Sequence, residues 1–100
     1  MKLLTAKNRA DLPALYANDG KKAEDVAVPV KFFTPDSNWT WYATEFDPAD
    51  GTFFGLVCGH EAELGYFTLA EIESNRGPMG LKIERDLHWS GTLADARKAG

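Results

Sequence analysis

Two β-rich runs, WTWYATEF at 39–46 and TFFGLVC at 52–58, flank the turn-forming string Asp47-Pro48-Ala49-Asp50-Gly51. No other feature restricts the fold as strongly. Pro48 fixes one φ and Gly51 is free to take a positive one, so the chain reverses here and the runs pair as an antiparallel hairpin. With Phe46 opposite Thr52, one face carries Thr40, Tyr42, Thr44 and Phe46 beside Thr52, Phe54, Leu56 and Cys58. The other carries Trp39, Trp41, Ala43 and Glu45 beside Phe53, Gly55, Val57 and Gly59. Bulky rings can lean over Gly55 and Gly59. Both faces are partly apolar, whereas a half-exposed antiparallel sheet alternates more cleanly. Either both faces are covered or one is an aromatic surface open to a ligand. A slip of one residue would exchange every partner.

Around the hairpin the chain supplies short elements. Thr5 is an N-cap, and Leu12, Leu15 and Tyr16 recur at helical spacing over 7–18. Pro13 makes that helix start near Asp11 or divides it into two parts. The stretch 21–25 is charged loop. VAVPVKFF at 26–33 reads as a strand, with Pro29 placing it at an edge or bulge. His60 to Leu64 reads as a charged connection. Thr68 and Glu71 form a capping box for a helix over 69–75, which Arg76-Gly77-Pro78-Met79-Gly80 ends. LKIERDLHW at 81–89 alternates as a fourth, partly exposed strand, and 93–98 forms a frayed helical turn. The expected fold is α+β: a three- to four-stranded antiparallel meander with two or three short helices, in one domain over 1–100. Its core is Leu12, Leu15, Val28, Val30, Phe32, Tyr42, Phe54, Leu56, Phe67, Leu69 and Ile72, with Trp39 and Trp41 the aromatic residues that reach a surface.

Charge and cysteine content narrow the function. Fifteen acids against eleven bases give a formal net charge of −4, which disfavours sequence-independent nucleic-acid binding. No apolar run is long enough to span a bilayer and no export signal is evident, so no membrane association and a cytoplasmic location are expected. A single cysteine, Cys58, rules out an internal disulfide.

The strings FFTP at 32–35, SNWTWYATEFD at 37–47, FFG at 53–55, ELGYF at 63–67, RGP at 76–78 and ERDL at 84–87 carry a wider likeness. With MKLLT at 1–5 and Leu12, Pro13, Leu15 and Tyr16, they resemble the small bacterial domain-of-unknown-function family numbered 2958. The likeness covers nearly the whole chain. It implies a free-standing cytoplasmic bacterial protein of a family found in genomes, plasmids and other mobile elements. It supplies no activity and no catalytic residues.

Residues able to carry chemistry are few. Cys58 and His60 stand two apart, as a nucleophile and base could, but Gly59 ends the strand between them. They read as a small core residue and a loop residue. Glu45, Asp47, Asp50, Glu61 and Glu63 could serve a hard metal or acid/base work, yet their spacing is that of turn chemistry. Arg76 beside two glycines could meet an anion, though the string reads first as a helix exit. Phe53-Phe54-Gly55-Leu56-Val57 is similar to the aromatic strand of RNA-recognition modules but lacks the leading basic residue. No cofactor and no metal are expected. The leading expectation is a non-enzymatic accessory module that binds another protein through Asn38, Trp39, Trp41 and Glu45, because Trp and Tyr are favoured anchors. The alternatives are a nucleic-acid-related role, by single-strand stacking or acidic mimicry of DNA, and a small hydrolase or metal-dependent enzyme. The sequence says nothing of oligomeric state.

Overall fold

The hairpin grows into a larger sheet than the sequence suggests. In the computed structural model, which describes residues 2–99, five antiparallel strands pair in the order β4-β3-β2-β1-β5. They are β1 (Val30–Phe33), β2 (Thr40–Asp47), β3 (Thr52–Cys58), β4 (Ala62–Thr68) and β5 (Glu84–Arg85). Three short helices accompany them: α1 (Ala6–Asp11), α2 (Leu69–Ser74) and α3 (Leu93–Ala99). The α+β class is as expected, with five strands in place of three or four.

Two strands correct the sequence reading. Most of the supposed connection at 60–64 and the residues after it, up to the Thr68 cap, are β4, which pairs with β3 along its whole length, from Thr52–Thr68 to Cys58–Ala62. Of the supposed strand over 81–89 only Glu84 and Arg85 join the sheet, opposite Phe33 and Phe32. Likewise β1 begins only after Pro29, which has no N–H to give a ladder.

A β-bulge decides which side chains share a face. Near the turn Asp47 pairs with Thr52, Phe46 with Phe53 and Glu45 with Phe54; the register then skips Thr44, and Ala43 pairs with Gly55. From Ala43 to Thr40 the register is the expected one; between bulge and turn it is shifted by one. Thr44 is buried, and its hydroxyl donates to the Phe54 carbonyl at 3.0 Å. An extra residue in a strand inverts the alternation beyond it. Phe46 thereby joins Trp41, Ala43 and Phe53 on one face, while Glu45 moves to the face of Tyr42. Gly55 opposite Ala43 lets the strands close up, since a Cβ there would run into the Tyr42 carbonyl.

Both faces of the sheet are packed. On the first, Val30, Phe32, Trp41, Ala43, Phe46, Phe53 and Phe67 meet Leu4 and Leu12, which flank α1, together with Ile72 of α2 and Ile83. Phe32 and Phe53 are fully buried and meet edge to face at 5.6 Å. Burial of each such ring contributes roughly 2–3 kcal/mol. On the second face, Tyr42, Leu56 and Cys58 lie under Val26, Val28, Leu93 and Ala96. The expected frayed turn is therefore a seven-residue helix that closes the second face. Of the expected core, Leu15, Phe54 and Leu69 are only half-buried. The N-terminal helix is capped by Thr5 and spans only Ala6–Asp11; the stretch after Pro13, expected to be helical, forms turns instead.

Beyond Pro13 the chain docks where β1 stops short of β2. Phe46 N–H donates to the Pro13 carbonyl at 2.9 Å, and the Asn18 side-chain amide donates to the Thr44 carbonyl at 3.3 Å. The buried Glu45 carboxylate accepts from the Tyr16 and Asn18 N–H groups at 2.7 and 3.1 Å. Among the described residues no helix is long and apolar enough to cross a membrane.

Candidate binding cleft

Trp39 stands at the end of the loop between β1 and β2, and Thr34 holds that loop. Thr34 N–H donates to the Trp39 carbonyl at 3.1 Å, and Trp39 N–H donates to Thr34 Oγ1 at 3.2 Å. The Thr34 hydroxyl also bonds the Ser37 hydroxyl. Thr34 is buried, so these bonds form away from competing water. The Trp39 indole stacks on Trp41, with centroids 6.0 Å apart and planes at 29°, and meets the edge of His60 at 5.9 Å. Gly59 leaves the room it occupies: a Cβ there would strike the indole.

Opposite Trp39 is the turn that follows α2. Arg76 and Lys82 form an antiparallel bridge, and Gly77 N–H donates to the Leu81 carbonyl at 2.9 Å. Asp36 ties this turn to the tryptophan loop: its Oδ2 accepts from Met79 N–H at 2.7 Å and, more loosely, from Leu81 N–H at 3.5 Å. Between the two walls lies a cleft of about 430 Å³, lined by Thr34, Ser37, Asn38, Trp39, Trp41, Asn75, Arg76, Gly77, Pro78 and Ile83. Its polar groups are two hydroxyls, two carboxamides and one guanidinium. On the far side of Trp39 a shallower hollow of about 310 Å³ is lined by Val57, His60, Glu61 and Glu63.

The structure brings three of the four expected surface residues together. Asn38 is exposed, Trp39 is 38% exposed and Trp41 is 9% exposed, and all three line the cleft. Two corrections follow. Trp41 is not a surface residue: it lies in the packed first face, opposite Phe32 and Val57 in the ladder, and shows the cleft only a margin. Glu45 is not part of this surface, because the bulge turns it to the other face and the 16–18 backbone consumes its carboxylate. Asn75, Arg76 and Pro78 form the wall that sequence reasoning missed. The signal was the Arg76-Gly77-Pro78 string, read as a helix exit; it is both the exit and the wall.

A family model described as "Protein of unknown function (DUF2958)" matches residues 3–96. The chain belongs to this family. Neither the curated proteins nor the solved structures give a significant match to it. In this DUF2958 protein the strings that carry the family likeness include both walls of the cleft, 32–47 on one side and 76–78 on the other.

The other candidate groups are placed differently. Cys58 is buried in the second face, where burial raises its thiol pKa above the ordinary value. His60 is exposed in the β3–β4 turn against Trp39. The two do not form a nucleophile–base pair. Asp47 and Asp50 accept from the N–H groups of Ala49 and Thr52, two residues on, as side chains in such turns do. Among the described residues no group of three or more His, Cys, Asp or Glu side chains is placed to hold a metal ion.

Proposed function

We propose that this DUF2958 protein is a non-enzymatic binding module that receives an extended segment of another protein in the Trp39 cleft. One observation carries the reading: a half-exposed indole is held on Trp41 above a cleft edged with amide and hydroxyl groups. Aromatic anchors with little rotamer freedom left to lose are what peptide-binding surfaces use. The cleft offers donors and acceptors suited to a peptide backbone, and no arranged nucleophile, base or oxyanion site. The nucleic-acid alternative finds less support, because Glu61 and Glu63 beside Trp39 and the net charge of −4 oppose a phosphate chain.

A photo-crosslinking amino acid at Asn38, in cells that express the gene natively, tests the reading. A discrete crosslinked protein is expected, absent with the crosslinker at exposed Lys21. Trp39→Ala should weaken that complex by about 2 kcal/mol or more while the protein stays folded, with a lowered melting temperature from the lost ring contacts. Identical crosslinking from both positions, or full capture by a folded Trp39→Ala protein, would refute it.

A further inference from the structure

The Trp39 cleft does not end at its own wall. Ile83, which lines it, also lines a second cleft of about 310 Å³ formed by Lys2, Leu3, Leu4, Arg9, Leu69, Glu73 and Lys82. The end of α2 stands between them, with Glu73 facing the second cleft and Asn75 the first. The two openings adjoin across the Arg76–Lys82 bridge, and both reach down to the buried Ile83.

The second cleft reverses the sign of the molecule. Three cations and one carboxylate line it, in a chain with fifteen acids and eleven bases. Among the described residues the ion pairs are Lys7–Asp11 and Lys31–Asp86, so Lys2, Arg9 and Lys82 are engaged in none. These cations are solvent-exposed and share one cleft with Leu3, Leu69 and the buried Ile83, so their like charges add there. Such a cluster is relieved by an anion. The segments that bear the cations are also held in place. Arg85 Nη1 donates to the carbonyls of Lys2 and Leu3 at 2.6 and 3.0 Å, pinning the segment that bears Lys2. Arg9 lies over the Phe46 ring at 5.5 Å, and Lys82 belongs to the bridge.

We infer that the segment received at Trp39 is acidic on one side of its anchor: it carries Asp or Glu residues that pass the Arg76–Lys82 bridge and dock among Lys2, Arg9 and Lys82. This rests on the reading of the Trp39 cleft as a peptide site. A protein segment fits better than a nucleic-acid strand. Lys2, Arg9 and Lys82 lie at one end of the combined groove, with Arg76 beside them in the Trp39 cleft, while Glu61 and Glu63 lie beyond Trp39 at the other end, so a uniform polyanion would be attracted along one part and repelled along the other.

The test uses the full-length protein and a displayed library of random dodecapeptides, followed by fluorescence polarisation of the selected peptides. The expected binders place Asp or Glu a few residues from an aromatic or proline. Trp39→Ala should abolish their binding. Lys82→Glu should weaken it by roughly five- to tenfold at low salt, with the difference shrinking at high salt. A peptide with its acid changed to Lys should regain affinity for Lys82→Glu, a rescue that an unfolded variant cannot give. If the binders need Trp39 but are neither acidic nor sensitive to Lys82→Glu and Arg9→Glu, the acidic segment is refuted while the peptide site stands. If no binder depends on Trp39, the peptide site itself fails. Salt-sensitive binding of oligo-dT that needs both Trp39 and Lys82 would overturn the inference in favour of a nucleic acid.

Discussion

Glu45 offers the most demanding test of the fold. It is 4% exposed, belongs to no ion pair among the described residues, and accepts from the N–H groups of Tyr16 and Asn18. A hydrogen bond to a charged acceptor contributes about 1.5–3 kcal/mol, so the two together supply about 3–6 kcal/mol. Against this stands Tyr16, whose φ of +72° costs about 1–2 kcal/mol in a residue with a Cβ. Glu45→Ala breaks both bonds, and the freed loop relaxes Tyr16, leaving a net loss of about 2–4 kcal/mol. In a chain of this size that lowers the melting temperature by roughly 10–25 °C. Glu45→Gln keeps the shape and one acceptor but turns an amide N–H₂ towards the second N–H, and should cost about 2–3 kcal/mol. Thermal and urea unfolding measure these losses, and hydrogen exchange at the Tyr16 and Asn18 amides locates them. Tyr16→Gly is the control. It relieves the left-handed strain while adding about 0.5–1 kcal/mol of unfolded-state entropy, so its stability should equal or slightly exceed the parent's. A Glu45→Ala protein that melts within about 4 °C of the parent, a change below 1 kcal/mol, would refute the clamp. So would unchanged exchange at both amides.

Three further outcomes are expected. Asp95 accepts from the N–H and hydroxyl of Thr92 ahead of α3, and these bonds hold its pKa below the ordinary aspartate value. Its contribution is complete above about pH 4 and is lost as pH falls through the lowered value, so urea midpoints below that pH should fall more steeply for the parent than for Asp95→Asn. Burial raises the Cys58 thiol; its contribution is full below about pH 8.5 and is lost as pH rises through the raised value. Cys58→Ala should therefore flatten the alkaline limb of the stability curve, and the native thiol should react with Ellman's reagent far more slowly than the unfolded one. Finally, Gly55→Ala meets backbone and should cost about 3 kcal/mol or more, whereas Gly59→Ala meets only the Trp39 ring and should cost about 1 kcal/mol. Gly59→Ala should still redshift tryptophan emission as the indole leaves its seat; an unchanged spectrum would count against that placement.

The parts of the fold legible in the sequence are those set by neighbouring residues. The Asp47–Gly51 reversal and the Thr5 and Thr68 caps all depend on groups within a few positions of one another. Strand β4 was hidden because it is an edge strand: it buries only Phe67 fully, and the helix-favouring Glu61, Ala62, Glu63 and Leu64 mask its pairing. The bulge at Thr44 was hidden because its supports are distant. The 13–18 loop occupies the space beside β2 that β1 leaves open, and the Glu45 carboxylate is drawn to that loop. Alternation alone put Glu45 beside Trp41; the long-range bonds inverted it.

The same reasoning separates Trp39 from the other exposed apolar residues. Met79, Leu81, Leu87, Leu64 and Tyr66 are as exposed or more so, and scattered exposed apolar side chains are ordinary. What distinguishes Trp39 is the number of independent features that fix it. Thr34 holds its backbone, Trp41 lies against its ring, Gly59 clears its path, and Asp36 sets the opposite wall at its distance. A side chain so held has surrendered most of its conformational freedom before any ligand arrives, so that cost is subtracted from folding and not from binding. Sequence could suggest the tryptophan, because two indoles and an asparagine stand within four residues. It could not suggest the wall, because Asp36 and Met79 are 43 residues apart and meet only in the folded chain.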